Sequence, residues 1–183
     1  MKFRYSLQVM TVALGMGVAA SDAVYAPASD APVSGTTTSP ADQQFVQNAS
    51  QADATKIAAS RVALKNSTDP RVKKFAQQMI TDHTKLSRGM AALVKKKGMA
   101  TSPSADSALV GKLQTLKVKG KEFDEAYVEQ VGLEAHQRAV DLFMQESTSG
   151  ADSQLKAAGR ALPIIKHHLA MAQQLAGAMK GSS

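Results

Sequence analysis

Residues 69–98 read DPRVKKFAQQMITDHTKLSRGMAALVKKKG. Asp69-Pro70 is a helix start: the aspartate side chain accepts hydrogen bonds from the free amides of the first turn, and proline there gives up only an N–H that would have no partner. Lys95, Lys96 and Lys97 followed by Gly98 is a helix stop, with cations at the negative end of the helix dipole. Between the two signals Val72, Ala76, Met79, His83, Leu86, Met90 and Leu93 recur at helical spacing. The stretch is therefore one long amphipathic helix, with a histidine in the middle of its apolar stripe.

The same grammar extends in both directions. Upstream, Ser39-Pro40 opens a helix that runs to about Asn66, with Phe45, Val46, Ala49, Ala52, Ile57, Ala63 and Leu64 on one face. Asp53, Lys56 and Ser60 fall on that face too and form an interior polar row, in which Asp53 and Lys56 are close enough to pair. Downstream, residues 99–121 form a connection with a short helix through Leu109, Leu113 and Leu116, broken at Gly120. A third long helix runs from near Lys121 to about Thr148, with Glu122, Asp124 and Glu125 in its first turn. Its stripe is Ala126, Leu133, His136, Val140 and Phe143, with Glu129 on the same side. Ser149-Gly150 turns the chain, and Asp152 caps a last helix to about Met179 with the stripe Ala161, Ile164, His168, Met171 and Leu175. Pro163 inside that helix predicts a kink, or a brief break between 158 and 163. Met79, Met90, Met144, Met171 and Met179 read as adaptable core. The expected architecture over residues 40–181 is an all-α bundle of four long helices, with a short extra helix between the second and third.

The rest of the chain is of another kind. Lys2 and Arg4, the mostly apolar run Leu7–Ala20 and the small residues up to Ala26 have the form of a secretory signal peptide, residues 1–26. The apolar run is shorter than the ~20 residues of a membrane span and is interrupted by Gln8, Thr11, Gly15 and Gly17. Residues 27–39, rich in Pro, Ser, Thr and Ala, form a flexible leader. Export to a bacterial periplasm, or secretion, is the expected destination. Absence of cysteine excludes disulfides, thiolate metal sites, thiol nucleophiles and a lipid anchor on Cys.

Charge is uneven. The whole chain carries a formal +7, with 15 basic and 3 acidic residues from Lys56 to Lys121 and 8 acidic residues with only Arg138 from Glu122 to Asp152. The basic segment suits either an acidic neighbour within the bundle or an anionic envelope polymer or protein partner. No aromatic residues interleave with its lysines to stack bases, which argues against nucleic acid.

Three histidines, His83, His136 and His168, occupy apolar stripes of three different helices, whereas His167 points elsewhere. Such residues are either core imidazoles locked by hydrogen bonds to Asp82, Glu134 or backbone, or ligands of a single divalent metal, with Asp82 and Glu129 as supporting carboxylates. No Glu-x-x-His pair exists, since the residues three before the histidines are Ile80, Leu133, Ile164 and Ile165. A bundle di-iron centre needs two such pairs. Hydrolase, metalloprotease and phosphate-loop motifs are absent too. No catalytic residue and no organic cofactor are expected.

Four segments carry a family resemblance: FVQNASQADATKIAASRVAL from Phe45, DPRVKKFAQQMITDHTKL from Asp69, GKEFDEAYVEQVGLEAHQRAVDLF from Gly120 and ALPIIKHHLAMAQQLAG from Ala161. In order and spacing the chain resembles the bacterial domain of unknown function 4142, a ferritin-like family of exported proteins. Its most specific pieces here are Met79 with Asp82-His83, Phe123-Asp124 with Tyr127 and His136, and Leu162-Pro163 with His168. The resemblance implies a ferritin-like four-helix fold and an envelope location, and no established reaction. Relatives commonly carry Glu where this chain has Lys56. That departure removes a carboxylate and argues against a di-iron oxidase or a peroxide-consuming enzyme. The expected function is a non-enzymatic envelope protein with a binding or stress-protective role; the alternative is a metal-binding protein using the bundle interior.

Overall fold

The computed structural model describes residues 38–99, 101, 103–116 and 119–181. The segment 1–26 expected to be a signal peptide, and the expected leader up to residue 37, lie outside them. The elements are α1 Pro40–Asn66, α2 Pro70–Lys96, α3 Ser107–Thr115, α4 Lys121–Tyr127, a π-helical segment Val128–Glu134, α5 Ala135–Ser149, α6 Ser153–Lys156, a 3₁₀ segment Ala157–Ala161 and α7 Leu162–Lys180. All described elements are helical, and the expected short helix lies in the connection. No helix among the described residues is long and apolar enough to cross a membrane.

The start signals work as read. Ser39 and Asp42 close a reciprocal capping box at the head of α1, and Asp69 accepts from the Arg71 amide at 2.8 Å. Asp106 accepts from the Ala108 and Leu109 amides, and Asp152 from those of Gln154 and Leu155. Gly120 precedes α4 with φ +69°, a left-handed conformation that suits glycine. Pro163 sits in the first turn of α7, and the strain it would cause further along a continuous helix is taken up by the 3₁₀ segment before it.

The core falls into two apolar clusters stacked along the bundle. One gathers Val72, Phe75, Met79, Phe123, Tyr127, Val131, Ala172 and Leu175. The other gathers Phe45, Val46, Leu86, Met90, Leu93, Phe143 and Ile165. The order in which each helix visits them gives the topology. α1 runs from the second cluster to the first, α2 runs back, the α4–π–α5 rod runs the same way as α2, and α7 returns. The 97–120 connection is therefore a crossover between two antiparallel pairs. Between the clusters, α1 contributes Asp53, Lys56 and Ser60, α2 contributes His83, α5 contributes His136 and α7 contributes His168, all buried.

The third long helix departs from the sequence reading. It is not α-helical throughout: the π-helical segment inserts an extra residue per turn, so the buried face runs Phe123, Tyr127, Val131, then His136, Val140 and Phe143. Ala126 and Leu133, placed on the stripe by an unbroken α register, are only half-buried. Met144 is 45% exposed and does not belong to the core.

The same segment brings two backbones together. A Cβ on Gly132 would lie 2.8 Å from the Ala172 Cβ on α7, whereas one on Gly177 would meet nothing within 4 Å. Gly132→Ala is expected to destabilise the bundle by about 1–3 kcal/mol through overpacking. Gly177→Ala, inside α7, is expected to stabilise it by about 0.5–1 kcal/mol. Urea denaturation of both variants checks the pair, and equal effects would contradict the close approach.

Candidate metal centre

His83 and Asp53 face each other across α1 and α2, with Nδ1 2.8 Å from Oδ1. His136 donates from Nδ1 to the Val131 carbonyl at 2.8 Å; that carbonyl belongs to the π-helical segment five residues before it. Because a carbonyl only accepts, the proton of neutral His136 is on Nδ1 and its Nε2 carries a lone pair. His168 shares a 2.9 Å hydrogen bond through Nε2 with Asp82, which also accepts from the Gln78 amide at 2.6 Å. The three rings lie with centroids 5.2–5.5 Å apart, and one nitrogen from each falls within 4.8 Å of those of the other two. His83 Nε2 and His136 Nε2 are 3.2 Å apart.

Each imidazole is thus anchored by one nitrogen, leaving His83 Nε2, His136 Nε2 and His168 Nδ1. The last is buried with no hydrogen-bond partner among the described residues. If Asp53 is ionised, His83 donates to it and turns a lone pair toward the lone pair of His136. Two lone pairs at that separation repel unless a cation lies between them. If Asp53 is protonated, it donates to His83, and His83 Nε2–H donates to His136. The layer therefore holds either a proton on the Asp53–His83 pair or a positive charge between the imidazoles.

The electrostatics agree. Burial raises the Asp53 carboxyl to about 7 against the opposing pull of Lys56 and His168. Burial lowers Lys56 to about 8, with Asp53 resisting and Arg138 reinforcing the shift. All three imidazoles are shifted down, first by burial; the Lys56 charge adds to this, while at His168 the hydrogen bond to Asp82 opposes it. Burial alone would raise Asp82, but hydrogen bonds from Gln78 and His168 outweigh it and hold the carboxylate ionised.

The structure thus brings His83, His136, His168, Asp53 and Asp82 together, with Lys56 beside them. Ser60 belongs to the same layer but serves the fold, pairing with the Tyr127 hydroxyl at 2.7 Å. Glu129 does not join them. It is exposed on the face toward Ala176 and Lys180, because the π-helical register means that seven residues before His136 no longer lies on the same side. Glu134 is exposed as well and locks no histidine; it pairs loosely with Arg138 at 3.6 Å. Asp53 as the anchor of His83 was not assigned from the sequence, although its place in the polar row of α1 was visible. The Val131 carbonyl carries no sequence signal beyond the five-residue step from Val131 to His136 in the buried face.

A family profile described as a domain of unknown function, DUF4142, matches residues 27–175. The chain belongs to the DUF4142 family. No curated protein matches it significantly. Among solved structures, this DUF4142 chain is similar to a DUF305 fragment from Deinococcus radiodurans, with a TM-score of 0.64 and 19% identity over 76% of this chain and 97% of that one. At that identity the likeness speaks for the helical fold alone.

The buried imidazoles of the DUF4142 chain make its stability depend on pH. A histidine whose folded pKa is lowered contributes stability that is present above its unfolded value, about 6.5, and lost as pH falls through the folded value. Asp53, raised to about 7, acts in the opposite sense. Asp53 and His83 hold one proton between them, so their contributions largely offset, leaving His136 and His168. In metal-free protein with chelator present, urea midpoints at pH 7 and pH 5 are expected to show a larger acid loss for the wild type than for His136→Asn. Parallel losses would show that His136 is not held neutral by burial.

Proposed function

We propose that the protein is an exported, non-enzymatic metal-binding protein that holds one divalent transition-metal ion at His83, His136 and His168. The observation that carries this reading is the convergence of three imidazoles whose outer nitrogens are already fixed by Asp53, the Val131 carbonyl and Asp82. Metal-bound histidines characteristically donate their other N–H to a carboxylate or a carbonyl, which sets the tautomer and aims the lone pair. With Asp53 ionised, the unanchored nitrogens supply all three lone pairs without a change of tautomer. A metal would also relieve the lone-pair conflict between His83 and His136.

The donor set selects among ions. Three neutral imidazoles suit zinc, copper or nickel, while hard ions such as calcium and magnesium prefer oxygen ligands. Imidazole nitrogens bind zinc at about 2.0–2.1 Å, which in a tetrahedron separates them by about 3.4 Å. The 3.2 Å pair meets that spacing, and the span of up to 4.8 Å closes by small ring rotations. The histidines are only 0–1% exposed, which favours retention of an ion over turnover of a substrate. Lys56 charge opposes a bound cation, so occupancy favours loss of a proton from the layer.

Export is supported by the signal-like residues 1–26, immediately before the segment where the family match begins. The cations of α2 at Arg71, Lys73, Lys74, Lys85, Arg88, Lys95 and Lys96 are exposed and offer a surface to an anionic envelope polymer or a protein partner.

Thermal unfolding of chelator-stripped protein with one equivalent of zinc, copper, nickel or manganese tests the metal reading. A rise in melting temperature is expected for at least one of the first three and not for manganese, and is lost in His136→Gln and His83→Ala. A protein indifferent to zinc, copper and nickel would leave the histidines as core hydrogen-bonding groups.

A further inference from the structure

A cleft of about 340 Å³ opens between α1, α3 and α5, on the Lys56 side of the central layer, and its lining includes Asn48, Gln51, Thr55, Lys56, Asp106 and Arg138. Lys56 is the unusual member. Its side chain is 1% exposed, yet it makes no hydrogen bond and no ion pair within 4.0 Å with any described residue. Asp53 attracts it from a distance, but no ion pair forms: Oδ1 of Asp53 is bound to His83, and its buried Oδ2 has no hydrogen-bond partner among the described residues. A buried ammonium left this way is costly, and a nearby Arg138 adds like-charge repulsion.

We propose that this cleft is a binding site for a small oxyanion, a phosphate or a short organic carboxylate, held between the Lys56 ammonium and the Arg138 guanidinium. Two cations converging on one water-accessible cleft are reconciled by an anion between them. The neutral donors are at hand. The Asn48 side-chain oxygen already accepts from Gln44, which directs its amide nitrogen to other acceptors, and Gln51 adds a second amide. The acidic groups near the mouth offset the field only in part. The Asp106 carboxylate is turned to the amides of Ala108 and Leu109. Glu134 meets Arg138 only at 3.6 Å, between side chains that are 51% and 66% exposed, a contact worth little in water. Thr55 is fully used, donating to the Gln51 carbonyl and accepting from the Asp106 amide, and so fixes the α3 side of the cleft to α1. The volume lies at the small end of ligand pockets and accommodates a compact anion.

The site shares Lys56 with the central layer but has no histidine in its lining, and it is tested without metal. Chelator-stripped protein is titrated calorimetrically, at constant ionic strength, with inorganic phosphate and separately with malonate, chloride serving as the background anion. One-to-one saturable binding of at least one of them is expected, and which one binds tells an inorganic from an organic source. Arg138→Gln, a change at an exposed position that leaves the core intact, is expected to weaken binding about tenfold. Lys56→Met is expected to abolish it, with circular dichroism reporting that the bundle still forms. Failure of both anions to bind beyond the chloride background, or equal affinity in Arg138→Gln and the wild type, would overturn the proposal. Neither result bears on whether His83, His136 and His168 hold a metal.

Discussion

Every imidazole in the middle of this bundle is tied down by one nitrogen, and that constraint organises the rest of the molecule. Burying three histidines, an aspartate and a lysine in one layer between two apolar clusters is expensive, because each charged form is penalised and each unpaired polar atom is too. The cost is contained by fixed partners: Asp53 for His83, Asp82 for His168 and a main-chain carbonyl for His136. These partners come from α1, α2 and the π-helical segment, so the layer ties the separate helices to one another. It also specifies register, since a slide by one turn would move an imidazole of α2, α5 or α7, or Asp53 and Lys56 of α1, into an apolar cluster.

Much of the fold was legible because its signals are local. Ser39-Pro40, Asp69-Pro70 and Asp152 mark helix starts by capping chemistry that needs no tertiary context. Pro163 marks the break before α7 for the same reason. The three histidines were visible as polar interruptions of apolar stripes. What periodicity hides is a change of helical pitch. With an α register carried through residues 128–134, Ala126, Leu133 and Glu129 fall on the wrong face, whereas the true face is Tyr127, Val131 and then His136. The anchors of the layer were equally hard to read, since Asp53 lies thirty residues from His83 and a carbonyl has no side chain to announce it.

Lys56 gives this layer its particular character. A carboxylate there would add a hard oxygen ligand and negative charge; a lysine instead places a positive charge against the imidazoles and lowers their affinity for protons. Lys56 also lines the α1–α3–α5 cleft, together with Arg138. One residue thus sets the electrostatics of both the buried nitrogen cluster and the accessible cleft beside it.

The most direct measurement is X-ray absorption spectroscopy of the protein loaded with one equivalent of zinc. The account predicts an inner shell with three imidazole nitrogens at about 2.0 Å and the outer-shell scattering of histidine rings. An inner shell made mainly of oxygen, with one imidazole or none, would contradict it and return His83, His136 and His168 to a purely structural role.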